Sequence, residues 1–173
     1  EVAKLGYSQV LWLDAVEGKY VEEVGAMNIC FVYDNKRIVT PALSGSILPG
    51  VTRDSILKLA PALGFEVSEE RLDIQQVLAD IKSGKITEAF GCGTAAVISP
   101  VGKLCWKGTD YVINNNESGK IAKQLYDELT ATLYGEDSRP ERNWPKTVQI
   151  SSSPQPSCQS LVPASGSQGA SSI

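Results

Sequence analysis

Three short runs of strand-forming residues occupy the first 41 positions, and they constrain the fold more than any other feature. They are "YSQVLWLD" (Tyr7–Asp14), "YVEEVGAMNICFVYD" (Tyr20–Asp34) and the "KRIVTP" that follows. Turn signals at Glu17-Gly18 and Asp34-Asn35 separate them. Runs of β-branched and aromatic residues between such turns predict an antiparallel meander, in which the second run is one strand with a glycine inside it.

Helical periodicity begins after the meander. The first helix is predicted from about Thr52 to Leu63, with Gly64 ending it, and "IQQVLADIKSG" and "ESGKIAKQLYDELTATLYG" predict two more. Gly84 and Gly135 stand where these two helices should stop. Short strands and glycine turns fill the segments between the helices. We therefore expect an α+β fold, a mostly antiparallel sheet with helices packed on it.

Composition excludes several functional classes. The 173 residues include no histidine, which rules out Ser-His-Asp and Cys-His catalysis within this chain and the usual zinc sites. The net charge of -4 argues against a nucleic-acid partner, because phosphate neutralisation needs a basic face. No apolar run is long enough to cross a bilayer, and no signal peptide opens the chain. We expect no membrane partner, no metal and a cytoplasmic location.

Cysteine usage fits the same setting. Cys30, Cys92 and Cys105 lie in strand-like apolar context, and none of the four cysteines forms a CxxC pair. We expect buried, reduced thiols.

The C-terminal end differs from the rest of the chain. Residues 147–173 contain no charged side chain, and the segment from Ser151 has nine serines and three prolines. Such a segment buries too little apolar surface to offset the entropy of ordering. We expect a disordered tail over 147–173 and a folded domain over 1–146.

Two adjacent carboxylates in the second run are the first candidate for chemistry. Glu22 and Glu23 should point to opposite faces of a strand, which leaves one solvated and puts Glu23 on the face of Val21 and Gly25. A glutamate that points inward needs a cationic or protonated partner. The same residue is equally consistent with a surface carboxylate.

Two turns are the other candidates. "LPGVTR" offers helix-start N–H groups at Val51 and Thr52, which suit a phosphate, although the residues alone favour a plain helix cap for Thr52. "FGCGTAAVISP" offers the hydroxyl of Thr94 after glycines at 91 and 93, although the residues alone favour a plain turn between strands. With an inward carboxylate, these turns would suit a ligand that has a phosphate and a protonatable ring nitrogen.

In order along the chain, "QVLWLD", "EEVGAMNICFV", "LPGVTRDSILKLA", "EAFGCGTAAVISPV" and a "YG" ahead of a "W" closely resemble the second half of branched-chain amino acid aminotransferases. The resemblance covers about Gly6 to Trp144. It implies the large domain of these pyridoxal-phosphate enzymes, a mostly antiparallel pseudo-barrel flanked by helices, truncated at its N-terminal end. Five motifs in one order make the resemblance specific.

The resemblance assigns cofactor contacts by position. Glu23 would pair with the protonated pyridine nitrogen and keep the ring an electron sink. Val51 and Thr52 would hold the phosphate at the helix start, and Thr94 would add a hydrogen bond to it.

The resemblance also implies substrate contacts. Ala95 would lend its N–H to the substrate carboxylate, and Ala96 would line the same wall. Ala26 stands near the substrate, where several relatives have a threonine. Some relatives have a CxxC redox pair at the positions of Ala96 and Ser99, so no such thiol switch is expected here.

One family feature is missing from the sequence. The Schiff-base lysine of the family lies in a segment that reads like K-x-G-G-N-Y, and this chain has none. Lys4 matches a helix-end position instead. We therefore assign no catalytic lysine and expect the chain alone to be inactive.

Two interpretations follow from the resemblance. In the first, the chain is the cofactor-binding part of a homodimeric transaminase that moves an amino group between leucine, isoleucine or valine and 2-oxoglutarate. In the second, it is a truncated, non-catalytic paralogue that binds pyridoxal phosphate weakly or acts only in dimerisation.

Overall fold

The computed structural model describes Lys4 and residues 6–134. The described strands are β1 Leu11–Leu13, β2 Val21–Val24, β3 Met27–Tyr33, β4 Arg37–Pro41, β5 Glu66–Glu70, β6 Ile86–Gly93, β7 Val97–Pro100, β8 Lys103–Trp106 and β9 Thr109–Val112. The helices are α1 Val51–Ala62, α2 Ile74–Ser83 and α3 Lys120–Leu133. The predicted helix stop at Gly135 and the predicted tail over 147–173 lie outside the described residues.

Seven strands form one sheet, and β3 is its centre. β3 pairs antiparallel with β2, β4 and β6, while β1 extends the sheet beyond β2 and β7 extends it beyond β6. β5 pairs parallel with β4, because α1 connects them as a crossover. β8 and β9 form a separate ribbon. The predicted α+β, mostly antiparallel fold is confirmed. The described strands leave edges at β1, β5 and β7, so they do not form the closed barrel that a pseudo-barrel suggests.

The expectation of one strand from Tyr20 to Asp34 is wrong. The segment is a hairpin, in which Gly25 and Ala26 form a two-residue turn and Val24 pairs with Met27. Gly25 has a φ of 58°, which a tight hairpin turn requires and glycine adopts without strain. The turn at Asp34-Asn35 is as predicted, with both residues at positive φ.

Alternate residues of β3 point into two hydrophobic cores, one on each face of the sheet. Ile29 and Phe31 pack with α2 in the first core, and Cys30 and Val32 pack with α1 and α3 in the second. Because both faces are covered, β3 is buried almost along its whole length. The sheet thus fixes α1 against one face, at the end of β4.

Two of the three thiols in the described part follow the prediction. Cys30 and Cys92 are buried and free, whereas Cys105 is exposed on the two-stranded ribbon, so its predicted burial is wrong. A two-stranded ribbon has one face in solvent, and alternation along β8 puts Cys105 there. In the part of the chain that the structure describes, no helix has the length and hydrophobicity of a membrane span.

Candidate cofactor site

A β-bulge places both glutamates of β2 on one face of the sheet. In the register of β1 with β2, Trp12 pairs with Glu23 and the next residue of β1 pairs with Val21, so Glu22 is skipped. The extra residue lets Val21 and Val24 both enter the core. The prediction that Glu22 and Glu23 face opposite ways is therefore wrong, because it assumed an unbroken alternation.

The two carboxylates hold the segment that leads into α1. Glu22 accepts hydrogen bonds from the hydroxyls of Ser44 and Ser46. Glu23 Oε1 accepts from the backbone N–H of Leu48 at 3.1 Å and from Asn28 Nδ2 at 3.2 Å. The turn before α1 is therefore fixed to β2 through two adjacent side chains.

The partners of Glu23 are neutral. The structure gives it an amide and a backbone N–H, and within the described residues no lysine or arginine pairs with it. Both donors bind Oε1, so Oε2 receives no hydrogen bond from a described residue. A half-buried carboxylate with one open oxygen and no fixed cation can accept a proton-bearing group of a ligand.

The start of α1 is open. Val51 is the first helical residue, the N-cap is Gly50, and no side-chain hydrogen bond caps the helix. Thr52 is inside the helix, so the plain cap that the residues alone favour is wrong. The first N–H groups of a helix have no partner within the helix, and the partial positive charge of the helix dipole adds to them. Val51 is 76% exposed, which leaves this end accessible.

Ion pairs keep the helix start in place and leave its N–H groups free. Arg53 is buried and donates to the carbonyl of Pro41 at 2.9 Å and to Glu69 at 2.7 Å, which ties the first turn to the ends of β4 and β5. Asp54, the acidic residue of the first turn, pairs with Lys58 one turn further on. The local charge at the opening is therefore favourable to an anion.

Thr94, Ala95 and Ala96 form the exposed turn between β6 and β7. The sequence predicts that Gly91 and Gly93 permit a close approach to the backbone, and the group that approaches is the side chain of Met27. If Gly91 had a Cβ, that atom would lie 2.8 Å from the Cε of Met27. The approaching group is therefore a core side chain and not a ligand.

The structure brings the predicted positions to one end of the sheet. Val97, at the end of this turn, lines a cavity of about 210 Å³ together with Val51 and Thr52. The carbonyl of Ala26 lies 4.0 Å from the position of a Cβ on Gly93, which puts the β2–β3 turn beside the β6–β7 turn. Thr94 itself has no described contact with the helix start.

A larger cavity, about 740 Å³, belongs to the opposite face of β1 and β2. Leu11, Leu13 and Val24 line it, and none of the predicted site residues does. The larger cavity therefore gives no support to the candidate site.

Sequence reasoning missed Asn28 and the backbone of Leu48. Asn28 is only 5% exposed and lies in an otherwise apolar strand, next to Glu23 in β2 and opposite Cys92 in β6. A polar side chain inside such a strand needs a hydrogen-bonding partner, and that requirement could have drawn attention to Asn28.

Cys92, which pairs with Asn28 across β3 and β6, has an unreactive thiol. The hydrogen bond to Cys30, and then burial, raise the pKa of the Cys92 thiol far above its ordinary range. Cys92 therefore stays neutral and is a packing residue rather than a nucleophile.

The arrangement combines a carboxylate acceptor, an open helix start and an exposed turn with a hydroxyl. Residues 1–104 match the family Amino-transferase class IV. The chain belongs to the class IV aminotransferase family. Its relatives include the probable branched-chain-amino-acid aminotransferase of Staphylococcus epidermidis, which is 60% identical over 132 residues. Branched-chain-amino-acid transaminase 1 of Bacillus subtilis is 50% identical over 147 residues.

The chain spans 37% of the length of the Staphylococcus epidermidis relative and 40% of the Bacillus subtilis one, while the matches cover 76% and 85% of this chain. Among solved structures, the branched-chain amino acid aminotransferase from Escherichia coli has a TM-score of 0.66 at 30% identity, over 83% of this chain and 43% of that one.

A second similar solved structure is a ligand complex. It is a branched-chain amino acid aminotransferase complexed with N-(5'-phosphopyridoxyl)-L-glutamate, and it has a TM-score of 0.66 at 32% identity, over 80% of this chain and 41% of that one. The described fold of this class IV family member therefore corresponds to part of a larger aminotransferase.

Proposed function

We propose that these residues form the pyridoxal-phosphate-binding part of a branched-chain amino acid aminotransferase. The observation that supports this most is the position of Glu23. Its carboxylate binds the N–H of Leu48, three residues before the open start of α1, and keeps Oε2 without a partner among described residues. An acceptor for a ring N–H and donors for a phosphate are thus joined by one short turn.

The donor set fits the cofactor. Glu23 would accept from the protonated pyridine nitrogen and keep the proton there, while the N–H groups of Val51 and Thr52 would bind the phosphate. The hydroxyl of Thr94 would add a further hydrogen bond to the phosphate. When bound, pyridoxal phosphate supplies an electron sink for the carbanion formed at the amino-acid α carbon.

The substrate side of the site consists of the two adjacent turns. Ala95 is exposed, and its N–H donates no hydrogen bond to a described residue, so it is available for a substrate carboxylate. Ala26 and Ala96 would line the wall beside it. The names of these relatives support branched-chain amino acids as substrates. The family resemblance implies 2-oxoglutarate as the amino acceptor and a homodimer as the working form, and both are part of this proposal.

No lysine in the described part contacts Glu23, Glu22 or the start of α1 apart from Lys58, which pairs with Asp54. We assign the cofactor-binding role to residues 1–146 and no catalytic lysine to this chain. Incubation of the chain with leucine, pyridoxal phosphate and 2-oxoglutarate is expected to give no glutamate.

Cofactor binding is the direct test. Pyridoxamine 5'-phosphate is the suitable probe, because it has no aldehyde to react with surface lysines, and its own fluorescence reports binding. Glu23→Gln should weaken binding about tenfold, since a charge-assisted hydrogen bond to the ring nitrogen is lost. Glu66→Gln, at an exposed carboxylate at the start of β5 that pairs with Lys36, is the matched control and should change affinity less than about twofold, within the scatter of surface substitutions. Equal effects of both substitutions, or no binding by the unmodified chain, would contradict the proposal.

The carboxylate contact of Ala95 has its own test. The reduced adduct of the cofactor with leucine should bind the chain more tightly than the adduct with 3-methylbutylamine, which has the same side chain and no carboxylate. Equal affinities would remove Ala95 from the substrate site.

A further inference from the structure

Asn28 joins the two halves of the candidate cofactor site. Its Nδ2 donates to Glu23 Oε1 at 3.2 Å and to the carbonyl oxygen of Leu48 at 2.8 Å. The N–H of Leu48 in turn donates to the same Glu23 oxygen at 3.1 Å. The three groups therefore form a closed triangle of hydrogen bonds, with a neutral amide at its buried corner.

The carbonyl end of the same amide faces Gly50. A Cβ built on Gly50 would lie 2.1 Å from Asn28 Oδ1, so the amide occupies the space where a side chain would be. Gly50 is the N-cap of α1. Its φ of -66° is open to any residue, so contact with Asn28, rather than backbone conformation, restricts this position to glycine.

Asn28 thus contacts both Glu23, which is assigned to the ring nitrogen, and the turn at Leu48 that leads to the proposed phosphate site. β3 holds Asn28 rigidly, because it pairs with Glu23 in β2 on one side and Cys92 in β6 on the other. The amide transmits that rigidity to the turn from Leu48 to Gly50, which has no strand or helix of its own.

We propose that Asn28 is a positioning residue for the cofactor, which fixes the Glu23 carboxylate and the open start of α1 at the separation that one pyridoxal phosphate requires. This inference rests on the proposed function and deepens it. By binding Oε1, Asn28 leaves Oε2 available to the ring nitrogen. By binding the carbonyl of Leu48, it sets the distance between that carboxylate and the N–H groups of Val51 and Thr52, whose own arrangement is fixed by the helix. Because the described hydrogen bonds of its Nδ2 go to Glu23 and Leu48, its role is to position these groups rather than to bind the cofactor.

The test compares pyridoxamine 5'-phosphate, which needs both Glu23 and the start of α1, with inorganic phosphate, which needs only the start of α1. With the 173-residue chain, Asn28→Ala should weaken binding of pyridoxamine 5'-phosphate about tenfold, because two hydrogen bonds that align the ends are lost. Binding of inorganic phosphate alone, followed by ³¹P line broadening, should change by less than about twofold, because it needs only the helix start. A general folding defect would weaken both probes equally.

A spectroscopic reading separates positioning from stability. With ¹⁵N in the pyridine ring, the pH at which the bound probe loses its ring proton should fall by about one unit in Asn28→Ala, since the carboxylate is no longer held toward it. Asn28→Leu keeps a branched side chain of similar size, removes the donor without adding a charge, and should give the same result if the alanine variant does not fold. Thr40→Val removes another buried hydrogen bond, from Oγ1 to the Ile29 carbonyl at 2.8 Å, and should leave the ring reading unchanged.

A double-mutant cycle with Gly50 completes the design. Gly50→Ala should weaken binding of the probe on its own, because the new methyl group displaces the Asn28 amide. In the Asn28→Ala background it should add little, because the space has been vacated.

The outcomes distinguish the two claims. If Glu23→Gln weakens binding while Asn28→Ala and Asn28→Leu match the unmodified chain in affinity and ring protonation, the role of Asn28 is overturned and the proposed function stands. If Glu23→Gln also has no effect, the proposed function fails first, and the role of Asn28 fails with it.

Discussion

The helices α1 and α3 both begin after a glycine, but only at α3 does a described side chain accept hydrogen bonds from the first N–H groups. Both helices follow a glycine, Gly50 or Gly119, and neither has a side-chain cap from that residue. At α3 the buried carboxylate of Glu88, in β6, accepts from the N–H groups of Ile121 at 3.0 Å and Ala122 at 2.9 Å. At α1 no described side chain takes this place.

The difference shows what an open helix start means in this protein. α2 has a local cap, in which Asp73 accepts from the N–H of Gln75 at 2.8 Å. α3 has a cap from 33 positions earlier in the chain. Since two of the three described helices satisfy their first N–H groups internally, the exposed start of α1 is a place where a ligand can do the same. The predictions below test that division, from the largest effect to the smallest.

The largest effect, a loss of folding stability, is expected at α3, where a side chain of the protein caps the helix. Glu88→Ala leaves two buried N–H groups of α3 without an acceptor and should lower the free energy of unfolding by about 3 kcal/mol. Urea denaturation measures the loss, and Glu88→Gln, which keeps one acceptor, should lose less. Folded Glu88→Ala protein should still bind pyridoxamine 5'-phosphate. A loss below about 1 kcal/mol would mean that α3 does not depend on this contact.

At α1 a substitution should leave stability unchanged and weaken binding, the opposite of what is expected for Glu88→Ala. Val51→Pro removes one N–H from the helix start, where proline is well accepted, and Gly50 already has the extended conformation that must precede it. Its unfolding midpoint should stay level or rise. Affinity for pyridoxamine 5'-phosphate should fall about tenfold, because a donor to the phosphate is lost. A variant that is less stable but binds equally well would contradict an open, ligand-binding start.

The local cap of α2 predicts a pH dependence. The hydrogen bond from the Gln75 N–H, more than any other contact, lowers the pKa of Asp73 below its ordinary value. A lowered pKa in the folded state adds stability that is present above the unfolded value and is lost as pH falls through the folded one. Asp73→Asn keeps the cap without titrating. Its deficit in urea midpoint at neutral pH should therefore shrink below about pH 4, and a deficit constant with pH would contradict the lowered pKa of Asp73.

The smallest effect is expected at the hairpin turn. Thr94→Val removes an exposed hydroxyl assigned to the phosphate and should weaken binding of the probe about threefold, the value of one modest hydrogen bond. Thermal unfolding should be unchanged. Because the turn is exposed, a drop in the unfolding temperature would show that Thr94 has a structural role instead.

Sequence patterns predicted the features that depend on neighbours in the chain. The extent of α2, its end at Gly84 and the turn at Asp34-Asn35 follow from local rules on periodicity and positive φ, and the structure confirms them. Glu23, Val51 and Thr52 were correctly placed at a strand and a helix start.

The features that were missed depend on distant partners. The bulge at Glu22 exists because of its register with β1, and nothing in "VEEV" itself reveals it. Glu88 caps a helix through the fold and not through the sequence around it. Asn28 has its role only because β3 brings it beside Glu23 and the turn before α1.

The most direct test is an amide ¹H–¹⁵N titration of the chain with pyridoxamine 5'-phosphate. The N–H signals of Val51 and Thr52 should shift among the most strongly, while those of Ile121 and Ala122, already bound to Glu88, should stay in place. That result would show that the open helix start is the phosphate site. Unmoved signals at Val51 and Thr52, or equal shifts at both helix starts, would contradict the account.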